Sequence, residues 1–221
     1  MPTRRPLISF FLLFIALVAL TGCGSKSSNQ IAIPTCQEGG TCKLGDTGPG
    51  GGIIFLVDSD DRYAGFTYLE IKYEDILDVS GDRLIATMCS EQSIYLAPKS
   101  NEIGRGKMNS EELSRACDTS PASLVKKFSQ NSLTDWYLPT SDELQLAYKI
   151  LAVNGQLAFS DQTNGIGFYC SSSYSDPDIS SFEESLNIGV VLDPKVLGIA
   201  GNAAKMSNTQ PCAVRPVRSF G

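Results

Sequence analysis

The stretch Thr134-Asp-Trp-Tyr-Leu-Pro-Thr-Ser-Asp-Glu-Leu144 joins an apolar segment to the first turn of a helix. Thr140 and Glu143 have the spacing of a capping box, in which each side chain accepts a hydrogen bond from the other residue's backbone N–H. Asn154 and Gly155 are typical of a helix end. Between them, apolar residues recur at i, i+3, i+4 and i+7, which predicts one apolar stripe against a core: Leu144, Ala147, Tyr148 and Leu151.

Further apolar patterns predict strands, and further capping signals predict two more short helices. Ile53 to Val57 has the pattern of a buried strand and follows the Gly-rich segment 45–52, which we expect to be a sharp turn. The other predicted strands are 66–73, 167–172, 182–188 and 213–219, and the other predicted helix starts are Asn109 with Glu112 and Ser120 with Pro121. This mixture, without an internal repeat, predicts one α+β domain.

The N-terminus has the features of an export signal. Arg4 and Arg5 precede the almost wholly apolar run Leu7–Leu20, which is shorter than the ~20 residues of a spanning helix. The next residues, Thr-Gly-Cys23, resemble the end of the lipobox of bacterial lipoproteins, whose cysteine is acylated and becomes the new N-terminus. We therefore expect residues 1–22 to be a signal peptide and the acylated Cys23 to hold the chain in the bilayer.

We divide the mature chain into two parts. Residues 23–44 are the lipidated N-terminus and a flexible tether, because Gly24 to Gln30 contains nothing apolar to bury. Residues 45–221 form the folded domain. Gly24 is not the aspartate that favours inner-membrane retention in lipoproteins of this kind, so we expect the outer membrane if the cell has two membranes.

The composition excludes several kinds of chemistry. The chain has no histidine, which removes Ser-His and Cys-His nucleophiles, and its net charge of -6 argues against nucleic acid as a partner. Asp58, Asp60 and Asp61 lack the glycine and distal glutamate of an EF-hand, so we expect a solvated turn. Ser171 to Ser173 has no base to activate it and is expected to point outward at a strand end. We predict no catalytic residue, no metal and no cofactor.

Six cysteines remain besides Cys23, and an even number in an exported chain favours disulfides over thiols. Their spacing lacks the paired C-x-x-C of a zinc site, and the count alone leaves many connectivities open. We expect these pairs: Cys36 with Cys42, which close a short loop, Cys170 with Cys212, which lie in predicted strands, and Cys89 with Cys117, which are left over.

Five blocks of sequence resemble, in order, the C-terminal domain family of bacterial collagen-like adhesins (Lcl). They are Gly45-Asp-Thr-Gly-Pro-Gly-Gly-Gly-Ile-Ile-Phe, Ile103-Gly-Arg-Gly-Lys-Met-Asn, Thr134-Asp-Trp-Tyr-Leu-Pro-Thr-Ser-Asp-Glu-Leu, Tyr169-Cys-Ser-Ser-Ser and Val214-Arg-Pro-Val-Arg-Ser-Phe. The resemblance implies a C-type-lectin-like fold, in the branch shared with formylglycine-generating enzyme. Such a domain has a small twisted antiparallel sheet, two main helices and long loops.

The resemblance also implies a non-catalytic binding module whose ligand is a glycan or an envelope or host protein. The alternative is an enzyme related to formylglycine-generating oxidases, or a carboxylate-based hydrolase. The family usually has tryptophan where this chain has Cys170, which implies a disulfide to Cys212 facing the helix that contains Leu144 and Tyr148. No family ligand residue can be carried over, and the sugar-binding tripeptides of calcium-dependent lectins are absent.

The positions of aromatic and basic residues limit which class of ligand is expected. Trp136 and Tyr137 could stack on a sugar, although we expect Trp136 in the core. Arg215 and Arg218 are an odd number of positions apart in a predicted strand, so their side chains should leave opposite faces and form no basic patch. Lys126 and Lys127 point in different directions on a helix. An uncharged glycan or a protein is therefore favoured over a sulfated polymer.

Overall fold

A computed structural model of the chain describes residues 34–89, 100–159, 168–174, 187–191 and 202–221. They belong to one compact unit, Ile33–Gly221. The predicted signal peptide, the acylation site at Cys23 and the tether at 24–30 lie outside the described residues. No helix within the described ranges is long and apolar enough to cross a membrane.

Three α-helices and eight strands are present in the described part of the chain. The helices are α1 (Gly106–Ala116), α2 (Pro121–Lys126) and α3 (Ser141–Ala147), and α3 continues as one wider turn over Tyr148–Ala152. The strands are β1 (Ile53–Val57), β2 (Tyr68–Ile71), β3 (Ile85–Ala86), β4 (Phe168–Tyr169), β5 (Asn187–Val191), β6 (Asn202–Met206), β7 (Cys212–Ala213) and β8 (Val217–Phe220). The predicted α+β class is confirmed.

The strands form two small sheets. One is antiparallel with the order β1-β2-β8, and the other has the order β3-β7-β4-β5-β6, in which only the β4–β7 pair is parallel. The described fold therefore has a third helix and a mixed second sheet beyond the expected two helices and one antiparallel sheet. The predicted strand 213–219 is split into β7 and β8 around Pro216, which has no N–H to give to a ladder.

Two large apolar clusters build most of the core of the described residues, and a third, small one contains Cys36, Cys42 and Ile54. The first packs α3 against β1 and β2, and the predicted stripe residues Leu144, Ala147 and Leu151 are all fully buried there, with Tyr148 partly buried. The second lies under α1 and α2 and includes these buried residues: Met88, Leu113, Val125, Trp136, Leu138 and Val214.

Two of the three predicted helix starts are correct. Thr140 Oγ1 accepts from the Glu143 N–H at 3.1 Å and Glu143 Oε2 from the Thr140 N–H at 2.9 Å, so the box of α3 is closed. Ser120 caps α2, and its Oγ accepts from the Ser123 N–H at 3.2 Å. The Asn109 box is wrong, because α1 begins earlier, at Gly106, and Asn109 lies inside the helix.

The structure contains three disulfides, and they join the pairs expected from the sequence. The Cα atoms lie 4.6 Å apart in Cys36–Cys42, 5.9 Å in Cys89–Cys117 and 5.1 Å in Cys170–Cys212. The last pair connects the neighbouring strands β4 and β7, where Tyr169 pairs with Ala213.

The expected orientation of the Cys170–Cys212 bridge is wrong. Tyr169 and Ala213 belong to the cluster around α3, whereas Cys170 and Cys212 belong to the cluster under α1 and α2. Successive side chains of a strand point to opposite faces of the sheet. A residue next to one that packs against α3 therefore packs into the cluster under α1 and α2.

Candidate functional site

The structure places the aromatic pair of the 134–144 stretch in the interior. Trp136 is 3% and Tyr137 4% exposed, so neither offers a ring face for stacking on a sugar. Trp136 packs edge-on against Phe128 with 5.8 Å between ring centroids. The prediction that Trp136 belongs to the core is confirmed.

The aspartates after β1 form a turn, as expected. Asp58 Oδ2 accepts from the Tyr63 N–H at 2.6 Å, and Asp61 has a positive φ of 51°. Among the residues that the structure describes, no group of three or more His, Cys, Asp or Glu side chains could hold a metal ion.

The serine row 171–173 points inward, which corrects the expectation of outward side chains. All three serines are fully buried, and Ser173 Oγ accepts from the Ser141 N–H at 3.0 Å. The row follows β4 and is bonded to the chain before α3, since the Ser172 N–H also donates to the Pro139 carbonyl at 2.7 Å.

Arg215 and Arg218 form no common patch, as expected, but Arg215 lies between β7 and β8 and not in one strand with Arg218, and both side chains are buried. Arg215 Nε is 2.6 Å from Asp75 Oδ1. Arg218 joins two carboxylates, with Nη1 2.9 Å from Glu70 Oε1 and Nε 2.5 Å from Asp135 Oδ1. A buried charge is tolerated only with a partner, and these arginines neutralise interior carboxylates.

Glu70 explains why the segment 45–52 is so rich in glycine. This carboxylate is fully buried and accepts hydrogen bonds from the Gly50 N–H at 3.0 Å and the Gly52 N–H at 3.1 Å. A Cβ at Gly50 would lie 2.6 Å from Glu70 Oε1 and 2.6 Å from Trp136 Cζ2. Glycine thus lets the backbone approach the carboxylate, in addition to making the predicted turn.

A second buried glutamate is held by another glycine loop. Glu143 Oε1 accepts from the Gly104 N–H at 2.9 Å, and the carboxylate also accepts from the N–H groups of Gly106 and Thr140. It therefore serves the beginnings of α1 and α3 together. Burial raises the pKa of Glu143 to about 7, against the opposing effect of these donors. Burial and the charge of Glu143 raise the pKa of Tyr137 well above its ordinary value.

A pocket of about 260 Å³ opens on the outer side of the Gly104 loop. It lies between the turn after β1 and the segment before α1, and we call it the loop pocket. Its lining residues are Arg62, Tyr63, Ala64, Phe66, Ile103, Gly104 and Arg105. Because the Gly104 N–H points inward to Glu143, that buried carboxylate holds the floor of the pocket in place.

One wall of the loop pocket is aromatic. The rings of Tyr63 and Phe66 stack with 5.7 Å between centroids and 10° between planes. Phe66 is anchored in the cluster around α3, and Tyr63 packs against the same cluster while remaining partly exposed. A Cβ at Gly104 would lie 3.0 Å from Phe66 Cε1, so glycine allows the two loops to meet.

The two arginines that line the loop pocket each form an ion pair with a carboxylate beside it. Arg62 is 3.7 Å from Asp60 Oδ2, and Arg105 is 3.8 Å from Glu102 Oε2. All four side chains are more than half exposed, so these ion pairs are loose and their groups stay available to a ligand. The arrangement offers planar hydrogen-bond donors and acceptors beside an apolar ring.

Sequence reasoning missed the loop pocket, because its two loops are far apart along the chain and meet only in the fold. The signal that could have found it is Tyr63 directly after the charged residues Asp60-Asp-Arg62, together with the Gly104-Arg-Gly block. The disulfides, by contrast, could be predicted from a short loop, from two predicted strands and, for the last pair, by elimination. Neither a protein-family model nor a curated protein matches the chain.

Proposed function

We propose that this chain is a lipid-anchored cell-envelope protein whose folded unit is a non-catalytic, C-type-lectin-like module that binds a glycan. The observation that carries the proposal is the loop pocket, with its aromatic wall and two arginine–carboxylate pairs. The lipobox at Cys23 and the polar tether support the anchor. The three disulfides fit an oxidising compartment.

The chemistry of the pocket favours an uncharged sugar. A sugar ring has an apolar face that packs on an aromatic ring, and hydroxyls that bond to guanidinium and carboxylate groups. Because each arginine has its own carboxylate, the pocket has no surplus charge to attract a sulfated polymer. Its 260 Å³ is the liquid volume of roughly nine waters, enough for most of one sugar ring.

A glycan array tests the proposal, with immobilised neutral and sulfated glycans and the full chain in a non-ionic detergent. We expect neutral glycans to bind, and the affinity for the best one to fall at least about tenfold in Tyr63→Ala and in Arg105→Ala. Arg115→Ala is the matched control, since Arg115 is an exposed arginine of α1, ion-paired to Glu111 and outside the pocket.

Three results would contradict the proposal. One is a chain that binds no glycan on the array. The second is a preference for sulfated over neutral glycans. The third is an Arg115→Ala chain that loses as much affinity as Arg105→Ala, because the effect would then not come from the loop pocket.

A further inference from the structure

A second recess lies between α1, α2 and the segment that leads to Tyr137. Its volume is about 180 Å³. Its inner walls come from buried residues, namely Ala122, Trp136 and Tyr137, and its rim carries Lys107 and Lys126. None of its lining residues belongs to the loop pocket, so we treat it as a separate site, the helix recess.

The hydroxyl groups in the helix recess are already used by the protein. Ser110 Oγ donates to the Leu138 carbonyl at 2.8 Å, Ser114 Oγ donates to the Glu111 carbonyl at 3.0 Å, and the Tyr137 hydroxyl donates to Glu143 at 3.4 Å. These groups shape the walls, and their donated protons are not left for a ligand.

The carboxylates of the recess form ion pairs, whereas its lysines do not. Two carboxylates also line the recess, and each has a cation outside it: Asp135 is bonded to Arg218 at 2.5 Å, and Glu111 lies 3.6 Å from Arg115 in a loose, exposed pair. Lys107 and Lys126 belong to none of the ion pairs of the described residues. The recess therefore has two ammonium groups to spare.

Trp136 contributes a further donor without an acceptor. Its indole Nε1 is buried and has no hydrogen-bond partner among the residues described. A buried unpaired donor costs about 1 to 3 kcal/mol. The recess thus combines apolar inner walls with two ammonium groups at its rim that form no ion pair with the described residues.

We infer that the helix recess binds a small carboxylic acid with a short apolar body, either free or as the side group of a larger molecule. The carboxylate satisfies Lys107 and Lys126, and the apolar body fills the space against Ala122 and Trp136. The 180 Å³ correspond to roughly six waters, which matches a ligand of about six non-hydrogen atoms. This site does not depend on the glycan proposal.

Trp136 supplies the readout, because it is the single tryptophan of the chain and it lines the recess. We titrate the full chain in a non-ionic detergent with butanoate and follow tryptophan fluorescence. Butanamide has the same size without the charge, and inorganic phosphate has the charge without the apolar body. We expect a saturable change with butanoate, binding at least about tenfold weaker for each of the other two, and weaker butanoate binding at high salt.

The lysines provide the matched variants. Lys107→Ala with Lys126→Ala should weaken butanoate binding at least about tenfold, whereas Lys127→Ala, the neighbour that does not line the recess, should leave it unchanged. Circular dichroism verifies that each variant is folded. The inference is overturned if butanamide or phosphate binds as well as butanoate, if butanoate gives no saturable change, or if the double variant binds as tightly as Lys127→Ala.

Discussion

At the scale of single residues, two buried glutamates explain glycines that look like ordinary turn residues in the sequence. Glu70 accepts from Gly50 and Gly52, and Glu143 accepts from Gly104 and Gly106. In both cases a side chain would fill the space that the carboxylate needs. Each glutamate therefore ties a loop to the core through backbone N–H groups.

Gly50→Ala tests the loop around Glu70. The new Cβ would lie 2.6 Å from Glu70 Oε1, so the loop must move and lose hydrogen bonds to a buried carboxylate. We expect the free energy of unfolding to fall by about 2 to 4 kcal/mol in urea denaturation. Gly81→Ala is the control, because Gly81 has a φ of 84° but nothing within 4 Å, and backbone strain alone costs only about 1 to 2 kcal/mol. Equal losses would show that the contact with Glu70 is unimportant.

Glu143→Gln tests the carboxylate under the loop pocket. The folded-state pKa is raised from 4.5 to about 7, so between these values the native protein holds a proton that the unfolded chain has released. The protonated Glu143 therefore contributes its full share to the free energy of unfolding below pH 4.5. This contribution is lost as the pH rises towards 7, by an amount on the order of 3 kcal/mol. Glutamine does not titrate.

We therefore expect the wild-type free energy of unfolding to decrease between about pH 5 and pH 7 more steeply than that of Glu143→Gln. Chemical denaturation at several pH values measures the two slopes. Glu111→Gln, an exposed residue of α1, should keep the wild-type slope. Parallel curves for the wild type and Glu143→Gln would contradict the assignment.

At the scale of helices and strands, local signals predicted the elements that depend on local chemistry. The capping residues Thr140 and Ser120 give the starts of α3 and α2, and the apolar run Ile53–Val57 gives β1. The start of α1 could not be predicted in this way, because the N–H of its first residue, Gly106, bonds to Glu143 from a later helix. Such long-range partners leave no local pattern.

The short strands show the same limit. β3 contains only Ile85 and Ala86, and it exists because it pairs with β7 across the second sheet. Two residues are too few to show the alternating pattern of a strand. Likewise, Arg83 and Arg215 neutralise the buried Asp75, although arginines in a sequence are usually expected at the surface. The loop pocket and the helix recess are also formed by segments that are far apart in the sequence and come into contact only in the fold.

Two of the disulfides close loops of very different length, so their contributions to stability can be compared. Cys170–Cys212 spans 42 residues and joins β4 to β7, whereas Cys36–Cys42 spans 6. Chain entropy gives about 4 kcal/mol for the long loop and about 2 kcal/mol for the short one. We expect Cys170→Ala with Cys212→Ala to lower the melting temperature more than Cys36→Ala with Cys42→Ala. Calorimetry measures both, and the reverse order would contradict this ranking.

At the scale of the whole molecule, two recesses in one compact unit differ in how their cations are paired. In the loop pocket, Arg62 and Arg105 each form an ion pair, whereas in the helix recess Lys107 and Lys126 form none with the described residues, because the carboxylates beside them are paired with Arg115 and Arg218. Salt screens charge attraction, so it should affect ligands of the recess and not those of the loop pocket. The net charge of -6 gives no sign that two lysines without an ion-pair partner among the described residues line one recess.

The anchor at Cys23 is the prediction that concerns the whole chain. The lipobox precedes a polar tether, so acylation at Cys23 would hold Ile33–Gly221 near a membrane surface. Cys23→Ser should leave an uncleaved or mislocalised precursor and abolish labelling with radioactive palmitate. Ser25→Ala is the control, since it keeps the cysteine and should be processed normally. A Cys23→Ser chain that still fractionates with membranes at the wild-type size would refute the anchor, because cleavage and membrane attachment would then not require the cysteine.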